Sequence, residues 1–223
     1  MIMISNKRDK VEISLKQEYD HNAIKYDQKW KFYVERTVQM TLESVDVHRN
    51  DIHCILDLGC GTGALTLAIS DIFPNAKVKG LDLSSNMIKM AQSRCQMNGQ
   101  ISFHQSSVLE NPFVDNSFDL LISSSSFHFW PDLEKGLSEM FRIAKPGAQI
   151  IIGDWCNDYL YVKCLRIYLR LKGLEPGTPL SSYELIDLFQ KVGLENVKVK
   201  TGRVGWKIGF MTVSGTVPIL RTK

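Results

Sequence analysis

The stretch CILDLGCGTGALTLAI, Cys54 to Ile69, holds an apolar run broken by one acid, then three glycines, then a second apolar run. The first run, Cys54 to Leu58, is short and largely apolar, which predicts a buried strand interrupted by Asp57. Gly59, Gly61 and Gly63 follow, and glycine lets a backbone turn through left-handed conformations or approach a ligand closely. From Ala64 the apolar residues resume as a helix. Strand, glycine loop and helix in this order build a ligand-cradling turn, and Gly59-x-Gly61-x-x-Ala64 fits the fingerprint that holds a dinucleotide pyrophosphate. Asp57 stands against that fit, because a carboxylate two residues before the first glycine is a poor neighbour for phosphates. The loop holds either an anion or a cation.

Outward from the loop, helix and strand signals alternate. Helix signals over 28–45 precede a strand at 52–58, a helix at 63–72 and a strand at 77–82. The pair Ser84/Ser85 starts a helix over 85–97. A short strand at 101–105, a strand at 118–123, a helix near 132–143 and, after Pro146-Gly147, a strand at 148–154 follow. Continuous apolar strands alternating with amphipathic helices predict an α/β, Rossmann-like, doubly wound fold with a mostly parallel sheet. Ligands of such sheets lie beyond the carboxyl ends of the strands, where strand order reverses. The tail differs: helices at 158–172 and 181–192 lead into ENVKVKT and WKIGFMTVSG, strand-like and near enough in sequence to pair antiparallel.

The 223 residues, 44% hydrophobic and 23% charged, suit one globular domain with a full core. No window approaches the ~18 apolar residues that a membrane span needs, and the polar N-terminus is unlike a signal peptide. The cysteines (Cys54, Cys60, Cys95, Cys156, Cys164) are odd in number and scattered, without a CxxC pair. That favours reduced thiols in a cytoplasm over a disulfide framework or a structural zinc. Charge is uneven: residues 1–150 carry 16 Lys/Arg against 18 Asp/Glu, residues 151–223 carry 11 against 6. A basic last third suits an acidic substrate or an anionic surface as readily as plain solvation, and falls short of a nucleic-acid stripe. Lys163, Arg166 and Arg170 share one stripe of the helix at 158–172, which reads first as a solvated face, with an acidic or amphipathic acceptor or an anionic membrane surface as the alternatives.

S-adenosylmethionine carries a sulfonium, an ammonium and a carboxylate but no phosphate. Glycines serve its close approach equally well, and a carboxylate at the strand end complements its cationic part, so Asp57 tips the loop toward the sulfonium cofactor. Asp82 ends the next strand, where a carboxylate accepts both ribose hydroxyls. Dinucleotide sites use the same acid, so Asp82 alone does not discriminate.

Five segments, ILDLGCGTG, GLDLSSNMI, NPFVDNSFDLLISS, FHFWPD and RIAKPGAQIII, together resemble the class I S-adenosylmethionine-dependent methyltransferases over roughly residues 16–155. The likeness is strongest to the branch of the ubiquinone/menaquinone and malonyl-carrier-protein methyltransferases. It implies a seven-stranded sheet with an antiparallel last strand, an N-terminal helical lid (1–45), a cofactor-binding core (46–155), and acceptor-side helices with closing strands (156–223). It also implies that Gly59, Cys60 and Gly61 wrap the methionine moiety with Asp57 nearby, that Asp82 holds the ribose, and that Leu83 and Met87 flank the adenine. The family commonly places an acid in the third segment for the adenine amine. Here Ser107 takes that slot beside Val108, so the anchoring is weaker or passes to backbone. Ala148 replaces the last glycine of the family's KPGG turn, away from the cofactor. Ser124 and Ser125 fall next to the cofactor, His128 and Trp130 near the acceptor, with His128 as the candidate base. Tyr26, in EYDHNAIKYDQKW, matches a lid tyrosine that covers the cofactor.

Methyl transfer is an in-line displacement on a sulfonium, so alignment and exclusion of water supply much of the rate. A base is needed only where the nucleophile must lose a proton. The Asp/Asn-Pro-Pro-Tyr/Phe segment of enzymes that methylate amino groups of bases or glutamines is missing after 118–123, which favours oxygen or carbon over nucleic-acid nitrogen. The expectation is a methyltransferase of a small, partly hydrophobic metabolite, a monomer or homodimer, with no metal, no nucleic acid and no stable membrane insertion. Two alternatives stay open, an NAD-dependent oxidoreductase and a non-catalytic nucleoside-binding scaffold. Residues 16–30, poor in apolar side chains yet carrying Tyr19, Tyr26 and Trp30, read as a mobile lid.

Overall fold

The apolar runs become the inner strands of one sheet. A computed structural model of the chain describes residues 7–46, 51–95, 99–174 and 177–220, with side chains of the first helix described at 12, 13, 17 and from 28 onward. Strands β1 (Cys54–Leu58), β2 (Lys77–Asp82), β3 (Ile101–Gln105), β4 (Phe118–Ser124) and β5 (Ala144–Trp155) lie parallel. Strand β6 (Glu195–Val204) and strand β7 (Ile208–Thr216) complete the sheet in the order β3-β2-β1-β4-β5-β7-β6, with β7 antiparallel to both neighbours. Helices α1 (Lys7–Leu42), α2 (Ala64–Ile72), α3 (Ser85–Arg94), α4 (Leu133–Ile143), α5 (Leu160–Leu171) and α6 (Ser182–Lys191) surround it.

Alternate residues of the central strands feed two cores. Leu56, Leu121, Ile150 and Ile152 pack with Leu137 and Met140 of α4 and Phe189 of α6. Ile55, Leu120, Ile122 and Ile151 pack with Leu65 and Ile69 of α2 and, partly buried, Val38 of α1. Burial on both faces explains why these strands are written as continuous apolar runs. Asp119 fixes where they begin. One of its oxygens accepts from His53 N and Cys54 N at 3.0 and 2.9 Å, and the other meets Lys145 Nζ at 2.7 Å, so β4 ties the starts of β1 and β5.

Three differences separate the structure from the sequence-based expectation, and the first two have physical causes. Strand β5 begins at Ala144, ahead of Pro146-Gly147, because the turn is a bulge within it: its pairing with β4 jumps from Phe118↔Ala144 to Leu120↔Gln149. Proline lacks the ladder N–H, and Gly147 takes φ +78° there. The helix expected at 28–45 is the end of the 36-residue α1, so residues 16–30 are its middle rather than a separate segment. No glycine or proline interrupts residues 7–42, and the helix propagates. The backbone of Tyr26 belongs to α1; its side chain lies outside the described residues. The third difference is α5, expected over 158–172 as a packed helix with one solvated stripe, whose only buried residue is Val162.

The chain leaves β1 toward β2 on one side, and β4 lies on the other. The order therefore reverses between β1 and β4, and a crevice opens at their carboxyl ends. Helix α1 covers it. Gly153 on β5 makes that docking possible, since a Cβ there would overlap the Thr41 side chain. Thr41 Oγ1 bonds back to Thr37 O at 2.7 Å and reaches Ser124 Oγ at 3.1 Å.

Candidate active site

The glycine loop is held by backbone and by one acid. Gly59 N and Cys60 N donate to Leu81 O at 2.7 and 3.0 Å. Gly61 N donates to Asp82 Oδ2 at 2.8 Å, while Asp82 Oδ1 accepts from Ser84 N at 2.9 Å. The β2 acid thus organises both the loop and the start of α3. Gly59 has φ +70°, and a Cβ on it would run into the side chain of Ser126, whose hydroxyl bonds Leu58 O at 3.1 Å. Glycine is required there twice over, by conformation and by space.

Asp57 is buried and accepts from Thr66 Oγ1 at 2.6 Å. Burial pushes its carboxyl up to about 7; the Thr66 bond opposes the shift, and the nearby Asp82 charge adds to it. Burial, with Asp82 and Asp57 beside it, also raises the Cys60 thiol well above its ordinary value, so Cys60 is an uncharged wall atom.

One cavity gathers the candidate cofactor residues. Asp57, Gly59, Cys60 and Gly61 form one side, and Asp82, Leu83 and Met87 the next. Ser107 and Val108 follow β3, and Ser124 closes from β4 together with Ser125, Ser126, Phe129 and Trp130. Met87 and Val108 are both buried, which leaves an apolar slot next to the polar loop. The fourth side is α1, through Glu12, Val34, Thr37 and Val38. Glu12 Oε1 accepts from Ser107 Oγ at 2.5 Å. The third-segment slot that holds serine instead of an acid therefore has a carboxylate after all, delivered by a helix 95 residues away in sequence.

His128 stands behind this cavity rather than in its wall. It lies in the 3-10 turn Phe127–Phe129 and is 3% exposed. Its Nδ1 is 2.6 Å from Asp154 Oδ1, and its backbone N donates to Asp154 Oδ2 at 2.7 Å. The ring stacks on Trp155 at 4.9 Å between centroids and leans on Phe129, which does line the cavity. A carboxylate accepts only, so Nδ1 carries a proton, and in the neutral ring that leaves Nε2 as the acceptor. Nε2 is buried and has no hydrogen-bond partner among the described residues. Beside it, Trp155 Nε1 donates to Tyr33 Oη at 2.6 Å, and Tyr33 Oη donates to Ser125 Oγ at 3.0 Å. Ser125 holds φ +58°, a left-handed conformation unusual for serine.

Glu12, Tyr33 and Asp154 were not among the residues picked out from the sequence. Asp154 carries the same signal as Asp57 and Asp82, an acid at or near the carboxyl end of an apolar strand, and was recoverable. Glu12 and Tyr33 reach the site only because α1 crosses it, which no local pattern encodes. For Asp82, replacement by alanine should weaken S-adenosylhomocysteine binding by about 1.5–3 kcal/mol, the range for charged hydrogen bonds. Calorimetry checks this, and unchanged affinity would remove Asp82 from the site.

Residues 56–152 match the family described as a methyltransferase domain. The chain is 30% identical to a demethylmenaquinone methyltransferase of Bacillus licheniformis, over 68% of this chain and 78% of that protein. It is 28% identical to a chloroplastic 2-methyl-6-phytyl-1,4-hydroquinone methyltransferase 1 of Oryza sativa subsp. japonica, over 74% of this chain and 47% of the rice protein. Among solved structures, phosphoethanolamine N-methyltransferase 2 of Haemonchus contortus shares the fold, with a TM-score of 0.76 at 16% identity. The match covers 98% of this chain and 61% of that one.

Proposed function

Because the chain belongs to the class I S-adenosylmethionine-dependent methyltransferases, in the branch of the quinone methyltransferases, we propose that it methylates a small, partly hydrophobic, quinone-type acceptor at oxygen or carbon. The cofactor is S-adenosylmethionine, which supplies an electrophilic methyl group when bound. The observation that carries the reading is Asp57, a carboxylate buried beside the glycine loop, where it suits a cationic ligand and repels a pyrophosphate. That placement leaves the NAD-dependent oxidoreductase without support. All five cysteines are unpaired, which supports a reducing compartment such as the cytoplasm.

The site residues take these roles in our reading. Gly59, Cys60 and Gly61 wrap the methionine end, and Asp57 complements its ammonium. Asp82, which holds the loop, also binds the ribose hydroxyls. Leu83, Met87 and Val108 clasp the adenine ring, with Ser107 and Glu12 at its polar edge. Ser124 and Ser125 border the methyl, and Ser125 orients the acceptor through the hydroxyl that Tyr33 anchors. His128 Nε2, one layer behind the wall, takes the proton of a hydroxyl acceptor that displaces Phe129, with Asp154 holding the ring. Residues 1–45 act as the lid. Tyr26 is the inner contact of that lid in our reading.

The test is twofold: a thermal shift with S-adenosylhomocysteine against NAD, then transfer of labelled methyl from S-adenosylmethionine to hydroquinone acceptors. Stabilisation by NAD alone overturns the cofactor assignment, and binding without turnover on any hydroquinone overturns the acceptor class. Glu12 has its own test. Glu12→Ala should weaken S-adenosylhomocysteine about tenfold, the lower end for a charged hydrogen bond. It should leave S-inosylhomocysteine, which has a carbonyl in place of the purine amine, unaffected. Equal losses for both would move Glu12 away from the purine edge.

A further inference from the structure

Helix α5 follows β5 at the acceptor end of the sheet, and most of its apolar residues face away from the sheet. Leu160, Tyr161, Cys164, Ile167, Tyr168 and Leu171 recur at the spacing of a single helical stripe. That stripe faces solvent: Leu160 is 74% exposed, Ile167 61% and Leu171 82%. The helix meets the sheet through its other side, at buried Val162 and half-buried Leu165 and Leu169. Lys163 and Arg170 are exposed along one flank of the stripe, and Lys172 lies past its end with its ammonium over Tyr168. Arg166 leaves the flank, since its Nη1 turns in to Asn157 Oδ1 at 3.1 Å.

The face extends beyond α5. In the turn between β6 and β7, Trp206 is 79% exposed, and Lys207 Nζ lies 4.0 Å from its ring centroid and 5.9 Å from that of Tyr161. Exposed Phe32 of α1 sits beside Gly205 of the same turn. Three elements thus offer leucine, isoleucine and aromatic side chains ringed by cations. No Asp or Glu occurs between Tyr159 and Leu174, or between Arg203 and Ile208.

We propose that this face docks on the surface of an anionic lipid bilayer. The side chains are those of an in-plane interfacial helix: aliphatic anchors, tyrosine and tryptophan with one polar end, and flanking lysine and arginine. Each cation near an anionic leaflet adds attraction. No described helix is long and apolar enough to cross a membrane, so the contact is peripheral. A second copy of the chain fits this face poorly, because a symmetric pairing brings the cations of one copy (Lys163, Arg170, Lys172 and Lys207) up to the same basic set of the other, with no acid in these segments to offset them. The inference stands on α5 and its neighbours and holds for whatever acceptor the enzyme takes.

Co-sedimentation with phosphatidylcholine vesicles, with and without phosphatidylglycerol, tests it. The wild type should partition at least about tenfold more onto the anionic vesicles, and high salt should reduce that binding. Ile167→Glu/Leu171→Glu should abolish it while melting temperature and S-adenosylhomocysteine affinity stay as in the wild type, since both positions are exposed. If that variant does not fold, Lys163→Glu/Arg170→Glu, confined to exposed charges, should lose binding to anionic vesicles instead. Absence of binding to anionic vesicles overturns the proposal. So does unchanged binding by the folded variant, or a wild-type dimer in light scattering that the variant dissociates.

Discussion

Asp57→Asn is expected to make the ligand-free protein more stable at pH 8 and, at the same pH, a weaker binder of cofactor. The folded-state carboxyl titrates near 7 instead of 3.8, chiefly because it is buried. A carboxyl with a raised folded pKa binds more protons folded than unfolded throughout that interval. Its contribution to stability is therefore fully present below about pH 4 and is given up as the pH climbs to about 7. The gap from 3.8 to about 7 corresponds to at most roughly 4 kcal/mol. Asparagine keeps an acceptor for Thr66 and cannot ionise, so the variant's stability should be flatter from pH 4 to 8 and exceed the wild type at the upper end. Urea unfolding at both pH values measures this. Binding runs the other way. The ionised form complements the cofactor's ammonium, so wild-type affinity for S-adenosylhomocysteine should rise with pH up to about 7, by at most about tenfold per pH unit. The variant should bind less tightly and without that slope. Identical slopes in the two proteins would mean that Asp57 is not the group that titrates.

His128→Ala should slow methylation of a neutral hydroxyl acceptor by ~10²–10⁴-fold, the range for a lost general base, with cofactor affinity unchanged. Asp154 acts on the acceptor only through His128. Asp154→Asn presents an amide donor to Nδ1, which moves the ring proton to Nε2 and removes the lone pair. Its turnover should fall with little change in KM. A phenolic acceptor already ionised at the assay pH separates chemistry from architecture, since it has no proton to lose. Both variants should retain most of their activity on that acceptor. An equal loss on ionised and neutral acceptors would reduce His128 to a packing residue between Trp155 and Phe129.

The sheet was legible because its central strands are buried on both faces and so appear as unbroken apolar runs. The glycine loop was legible because left-handed turns and close approach leave glycine little competition. Ten candidate cofactor residues line one cavity for the same reason: strand ends and the turns after them are local features. What α1 contributes was not legible. Tyr33 and Trp155 are 122 residues apart and Glu12 and Ser107 are 95 apart, and periodicity says nothing about contacts at such separations. Helix α5 shows another limit. It carries apolar residues on two sides, and the sequence alone does not say which side meets the sheet.

The bond from Glu12 to Ser107 bears on how this enzyme can be taken apart and recombined. Residues 46–155 contain all five segments that carry the family likeness, and a chimera built by exchanging that block would look complete. It would lack the carboxylate at the third-segment slot, because that group is inherited from the opposite end of the chain. Transplanting the core onto a foreign N-terminus, or trimming the first turns of α1 to ease purification, removes a part of the pocket that no motif in the core records. The smallest heritable unit of this site is the core together with its first helix.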